Sequence, residues 1–581
     1  MPSVMPQAPE LSAPALDRAD QGEAARRSPR RGAVRWRPTK RVVVRQLTSL
    51  TQRSNAQPAR QAIVALLKRI KARKGHGEQV DAAIESLLAE VSAGGSDRWL
   101  LAEAAAWAVA WRHASRHPGR SADFLTTLLG HASAASADLE CGDTAPAAFV
   151  LTASRLLTER SARNDMERRA WEACEAEILR LVTSAGGVAI EGSAAIVSRV
   201  ARWTHVRAAA IATADASRKP KVAFARKADQ RWRLALATAA RLLGPGGVGI
   251  PVGPGPAPLR RCCSDITAAA IEHGRKSLRK AVRLLQQPRG SKREDDALSP
   301  TLDDRHAAMA ILRSGWQGRS VRVLLDYRSE HPLLEVTAGK RLLLGGFWRS
   351  EVALEGVSLP VEGPWQVTHF EEDEACITLV IAAPLAEGLR LERHVVLAPE
   401  DRVLLLADAV VDTLGSNTAT DLRYRGSLQT ANTIAVAAAE ETRELQLHDE
   451  KPQALVMPLA FHEWSTGRAT GSFHWDGPSQ QLHLEHRSPV RRLFAPLWID
   501  LDPRRFGSQV TWRQLTVADT RVILRPEQAS AFRIQAGLTS WVLYRSLDLP
   551  RNRTFLGCNV SSFFRLGKLG SDGLVSQMAE W

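Results

Sequence analysis

The spacing of apolar residues changes once along this chain, near residue 305. Before it, apolar residues return every three or four positions; after it, they alternate or run in short blocks. The first spacing stacks side chains on one face of a helix, the second on one face of a strand, and one kind of element cannot bury both. A helical unit followed by a β unit is therefore expected. At 581 residues the chain is also too long for one ordinary core.

The helical pattern runs from Gln79 to about Leu285. The segment Asp81–Val91 closes at Gly94-Gly95, and Trp99–His113 is Ala-rich with Trp99, Trp107 and Trp111. Residues 147–158, 168–182, 193–214 and 228–243 read the same way. Alanine gives these segments high helix propensity and lets helices approach closely. Arg180-Leu181-Val182 runs into Gly186-Gly187-Val188-Ala189-Ile190, and Arg241-Leu242-Leu243 later runs into Gly246-Gly247-Val248-Gly249-Ile250. A recurring helix, Gly-Gly turn and short extended piece predicts stacked α-hairpins, as in a helical toroid or solenoid. The Gly/Pro-rich loop 244–256 is not a phosphate-binding loop, because no Gly-Lys-Ser/Thr follows.

From Met309 onward, 321–327, 375–381, 389–397, 402–408, 510–517 and 521–524 read as strands separated by turn residues. Many strands with no helices between them predict a large antiparallel β-sandwich. The expected organisation is a disordered basic arm at 1–55, an α-helical toroid-like domain at 56–285, a linker at 286–304 and the sandwich at 305–581.

The net charge of +16 is localised. Arg26 to Gly77 holds sixteen Lys or Arg and no acid, while the remaining chain balances at 62 of each sign. Such a stretch suits nucleic acid, an anionic polysaccharide, anionic lipid or another acidic partner, or is simply a solvated, disordered tail; its one aromatic is Trp36. Arg60–Lys74 reads as an amphipathic basic helix. The first 25 residues contain Glu10, Asp17, Asp20 and Glu23 and no apolar core, so no secretory signal is read and a cytoplasmic location is expected, or a periplasmic or secreted one if the true start differs. No apolar run reaches membrane-spanning length. The six cysteines have no zinc spacing, so reduced thiols, no metal and no cofactor are expected.

Two stretches carry a family resemblance. Gly186-Gly187-Val188-Ala189-Ile190-Glu191-Gly192-Ser193-Ala194-Ala195-Ile196-Val197 resembles the loop-to-helix motif of the heparinase II/III-type polysaccharide lyases, roughly D-G-x-x-x-E-x-S-x-x-Y-H. Met309–Trp316, followed by Pro332–Leu344, resembles the strands that open that family's sandwich. The resemblance implies a helical toroid followed by a β-sandwich, acting on an anionic polysaccharide. This chain departs from the motif at its chemistry: Ile196 and Val197 stand where the family has Tyr-His, and Gly186 where it has Asp. The family's His-Gly-His-Ala-Asp segment has become Tyr327-Arg328-Ser329-Glu330-His331.

Lyases of this kind remove the proton beside a uronate carboxylate, neutralise that carboxylate and protonate the leaving oxygen. Ile and Val do none of this, and all three tyrosines (Tyr327, Tyr424, Tyr544) lie in the β half. The remaining catalytic candidates are Glu191, His205 and His331; for substrate binding they are Arg202, Trp203, Arg207 and Trp232. Each also has a structural account. Glu191 suits a helix start, His205 and the Trp residues suit a helical core, and the Arg residues suit solvated faces. The expected protein is a catalytically degenerate lyase scaffold binding an anionic glycan or partner in the toroid cleft. An active lyase with a rewired site and a cytoplasmic adaptor using the basic arm are the alternatives.

Overall fold

The computed structural model describes residues 36–54, 56–72, 77–115, 119–213, 223–247, 258–287, 296–415, 419–466 and 469–581. In these, the N-terminal part folds as helices α1 (Lys40–Arg53), α2 (Gln57–Lys71), α3 (Gly77–Ser92), α4 (Arg98–His113), α5 (Ser121–Glu140) and α6 (Ala147–Ser154). They continue as α7 (Arg160–Leu181), α8 (Ser193–Ala212), α9 (Arg226–Leu242), α10 (Pro258–His273) and α11 (Lys276–Gln286). Helices α4, α6, α8 and α10 pack side by side, and α1 closes the ring by touching both α4 and α10. Around them α2, α3, α5, α7 and α9 form an outer layer.

Composition explains which helices are inner. A helix buried on all sides must be apolar on all sides. Every residue of α6 is buried, as is the alanine run Ala102–Ala110 of α4. Their small side chains allow helices to approach on every face.

One expectation fails here. Residues 1–55 were expected to be a disordered arm, yet Lys40–Arg53 is a helix that buries Val43, Leu47 and Leu50. Arg53 pairs with Asp265 of α10 at 2.5 Å, and Arg261 of α10 donates to Gln52 Oε1 at 3.0 Å and Ser49 Oγ at 3.1 Å. The "arm" thus contains the segment that closes the ring; residues 1–35 lie outside the described residues. The Gly-Gly repeat holds in its first copy, where Val182 and Val188 form an isolated antiparallel bridge. In the second copy residues 248–257 lie outside the described residues. All six cysteines are free thiols.

The β half is antiparallel throughout its described pairings. Strands β1 (Leu302–Asp304), β2 (Met309–Arg313), β3 (Val321–Asp326), β4 (Leu333–Ala338) and β5 (Arg341–Phe347) form the first sheet in sequence order. Its first strand lies within the expected linker. An eight-stranded sheet, two further five-stranded sheets and a small four-stranded sheet follow. The eight-stranded sheet is covered on both faces. Leu379, Ile381, Val395 and Leu404 face the core shared with the first sheet, while Val396, Leu405 and Trp498 face the sheet carrying Phe532 and Trp541. Double coverage explains its unbroken apolar runs. Residues 521–524, expected as a strand, contribute only Val522–Ile523.

The first sheet joins the two halves through the two-residue period of strands. Met309, Ile311 and Leu324 enter the helical core, while Ala310, Leu312, Val323 and Leu325 enter the sandwich core. Arg313 donates to the carbonyls of Arg241 (2.6 Å) and Leu243 (2.8 Å), a cation placed on the last carbonyls of α9. Asp304 is 1% exposed and accepts four hydrogen bonds: from Gly187 N (2.8 Å), Thr183 Oγ1, His306 N (3.1 Å) and Ala307 N (3.0 Å). Gly187 has no room for a side chain, since a Cβ there would overlap Asp304 Oδ2 and lie 2.6 Å from Ala307 Cβ. Gly187→Ala is therefore expected to cost about 1–3 kcal/mol as overpacking. A urea titration reads this directly, and an unchanged midpoint would contradict the close approach.

Candidate functional site

The inner ring surrounds a cavity of about 440 Å³, and each of the five inner helices lines it. Helix α1 contributes Arg53 from its last turn, and α10 contributes Cys262. The other three contribute from their N-terminal parts: Trp99, Leu100 and Glu103 of α4, Ala148 and Phe149 of α6, and Ala194, Ala195 and Ser198 of α8. Three helix N-termini therefore converge on one space. Their dipoles favour negative charge there.

Helix α8 supplies the polar wall. Ala194, Ser198, Arg202, His205 and Val206 follow three-and-four spacing, so they share one face. Its start is fixed from the sandwich side: Glu335 on β4 accepts from Ser193 N at 3.1 Å. Gly192, at φ 81°, precedes it, a conformation glycine adopts without a Cβ clash.

On this wall His205 Nε2 lies 2.8 Å from Glu103 Oε2, and both side chains are buried. Glu103 Oε1 has no hydrogen-bond donor among the described residues. Arg202 lines the cavity and makes no hydrogen bond or ion pair among the described residues. Burial, together with the neighbouring Arg199 charge, lowers its pKa against the pull of Glu177 and Asp143. Burial also raises the Cys262 thiol, so it is no ready nucleophile. Asp97, on the same cavity, is tied to Ser54 Oγ (2.6 Å) and Ala56 N (2.9 Å). Trp99 stacks on Phe149 at 5.7 Å under the Arg98 guanidinium, with part of its ring accessible.

Of the residues singled out from sequence, Arg202 and His205 face this cavity and the others do not. Trp203 is one position round the helix from Arg202, about 100° away. It is 0% exposed and donates to Glu177 Oε2 at 2.6 Å. Trp232 is also 0% exposed, donating to Thr204 Oγ1 at 3.3 Å. Neither has a free ring face for a sugar. Arg207 pairs with Asp229 and lies 4.0 Å above the Trp232 ring; burial lowers its pKa. Glu191 is exposed on the turn before α8, within electrostatic reach of Arg328.

His331 lines a different cavity, of about 380 Å³, with Arg349, Glu351, Arg425 and His483. The structure does not bring His331 and His205 together. Ile196 and Val197, at the Tyr-His positions of the resemblance, are packed in the helical core. None of the three tyrosines lines the ring cavity, and burial pushes the pKa of Tyr327 up. No three His, Cys, Asp or Glu among the described residues are placed to hold a metal. No described helix is long and apolar enough to cross a membrane.

Sequence reasoning missed Arg53, Trp99 and Glu103. Glu103 did carry a signal, being the lone acid inside an Ala-rich run that reads as wholly buried. Removing its partner should strand that carboxylate. His205→Ala is expected to cost about 3–5 kcal/mol, and Glu103→Leu with His205→Leu considerably less, because the buried charge goes too. Equal losses in a denaturant titration would argue against the pair.

No protein-family model matches this chain, and no curated protein matches it. Solved structures do. The chain is similar to a crystal structure of heparinase III, with a TM-score of 0.58, 12% identity, and coverage of 84% of this chain and 82% of that one. It is also similar to heparan sulfate lyase HepC from Pedobacter heparinus, with a TM-score of 0.52, 10% identity, and coverage of 84% and 81%. At such identities the likeness establishes the fold: a helical toroid followed by stacked antiparallel sheets, as in those two structures.

Proposed function

We propose that the ring cavity binds an acidic group of an anionic glycan. The observation that carries this reading is Arg202, a half-buried guanidinium that faces the cavity with no ion-pair partner among the described residues. A guanidinium left open to the cavity in this way is suited to a ligand carboxylate or sulfate. The converging helix N-termini favour the same charge. The likeness to proteins named heparinase III and heparan sulfate lyase supports a glycan as the carrier of that charge.

Binding is favoured over turnover. The Tyr-His positions of the lyase motif are occupied by buried Ile196 and Val197, and no tyrosine lines the cavity to protonate a leaving oxygen. One observation favours β-elimination instead. Glu103 engages Nε2 of His205, which leaves Nδ1 as a proton acceptor. In that reading His205 takes the proton beside the uronate carboxylate, Arg202 neutralises the carboxylate, and the imidazolium so formed returns the proton to the leaving glycosidic oxygen as its C–O bond breaks and the C=C bond forms.

Calorimetry with uronate-containing oligosaccharides tests the first reading. Arg202→Ala is expected to weaken binding by about 1.5–3 kcal/mol, or roughly 10- to 150-fold. Unchanged affinity would remove the proposal. Ultraviolet absorbance separates the two readings, since elimination creates a conjugated unsaturated uronate. A flat trace is expected; a rise abolished by His205→Ala would establish a lyase.

A further inference from the structure

We propose that the α1–α2 hairpin is a second, charge-driven holding site for a linear anionic polysaccharide, separate from the ring cavity. The proposal takes from the cavity reading only the class of polymer.

The acid-free stretch of the sequence folds here into two helices whose apolar sides are buried through Val43, Leu47 and Leu50 and through Ile63, Leu66 and Ile70. Burying one side turns the cations outward. Lys40 Nζ donates to the carbonyls of Lys71 and Ala72, both at 3.4 Å, so the start of α1 adjoins the end of α2. Arg37, Lys40, Arg41, Lys68 and Lys71 are all exposed around this corner. None forms an ion pair among the described residues, and neither does Glu78, the first acid after the stretch.

The placement of Lys40 and Arg41 is informative. They occupy the first turn of α1, which has no acid, and cations at a helix N-terminus oppose its dipole. Lys40 is held by the last carbonyls of α2, but no acid among the described residues supplies a countercharge for this corner, which leaves its cations open to an external polyanion.

The same surface narrows what that partner is. Trp36, the lone aromatic of the stretch, packs edge-on against Trp107 at 4.8 Å rather than standing free to stack on a base. No large apolar side chain between residues 36 and 72 is exposed to enter a lipid layer. Recognition is left to charge along a linear polyanion. Arg53 at the cavity and Lys40 at the basic corner mark opposite ends of α1, about 20 Å apart at the helical rise. Only a long chain spans both.

The experiment titrates full-length heparin, a heparin tetrasaccharide and duplex DNA against the whole protein. The variants are Lys40→Glu, Arg41→Glu, Lys68→Glu and Lys71→Glu together, the same four changed to Gln, and Arg202→Ala, each checked by circular dichroism. For either four-site variant, heparin affinity should fall at least about tenfold, with a salt slope shallower by about 3. Tetrasaccharide affinity should move less than twofold in these variants and fall in Arg202→Ala. Unchanged heparin affinity and slope in both four-site variants would overturn the proposal. So would a loss confined to duplex DNA, which would make the partner a nucleic acid. If Arg202→Ala leaves the tetrasaccharide untouched while the four-site variants still lose heparin, the cavity reading fails and the basic corner stands.

Discussion

The arrangement of the two halves depends on one buried carboxylate. A desolvated charge costs several kcal/mol unless its lone pairs are filled. Asp304 fills its own with three backbone amides and a hydroxyl rather than with a cation. Two of the four donors, Thr183 and Gly187, belong to the loop that leads into α8. Glu335 then accepts from the first amide of that helix. Two carboxylates from the sheets therefore set where α8 begins, and hence where Ser198, Arg202 and His205 stand. The position of the cavity wall is determined from the β half.

Much of this was legible in advance. The switch from helical to alternating spacing separates helices from strands: the last described helix ends at Gln286 and the first strand starts at Leu302. The two segments that carry the family resemblance, 186–197 and 309–316, lie on opposite sides of the joint, where close packing constrains sequence most. The helix Lys40–Arg53 was missed although Val43, Leu47 and Leu50 have helical spacing. Charge and Ser/Pro content around them resemble a solvated tail, and nothing local reveals that α4 and α10 supply the surface they bury against.

The site was less legible, for a geometric reason. Spacing tells which residues share a helix face, but not which face meets the cavity. Arg202 and His205 face inward and Trp203, between them, packs into the core, so assigning all three to one surface was bound to fail in part. Trp99 and Glu103 lie a hundred residues earlier, and only ring closure brings them opposite α8. His331 is drawn elsewhere because the turn between β3 and β4 sits on the sandwich's own cavity.

The first sheet has a consequence for how such a chain can vary. Its alternate residues serve two different cores, Met309 and Ile311 one and Ala310 and Leu312 the other. The frontier between the halves therefore runs through the thickness of a sheet rather than along a tether. Cutting the chain at the junction would leave the helical part without its floor and the sheet with a bare apolar face. The surface each half needs to bury is supplied by the other.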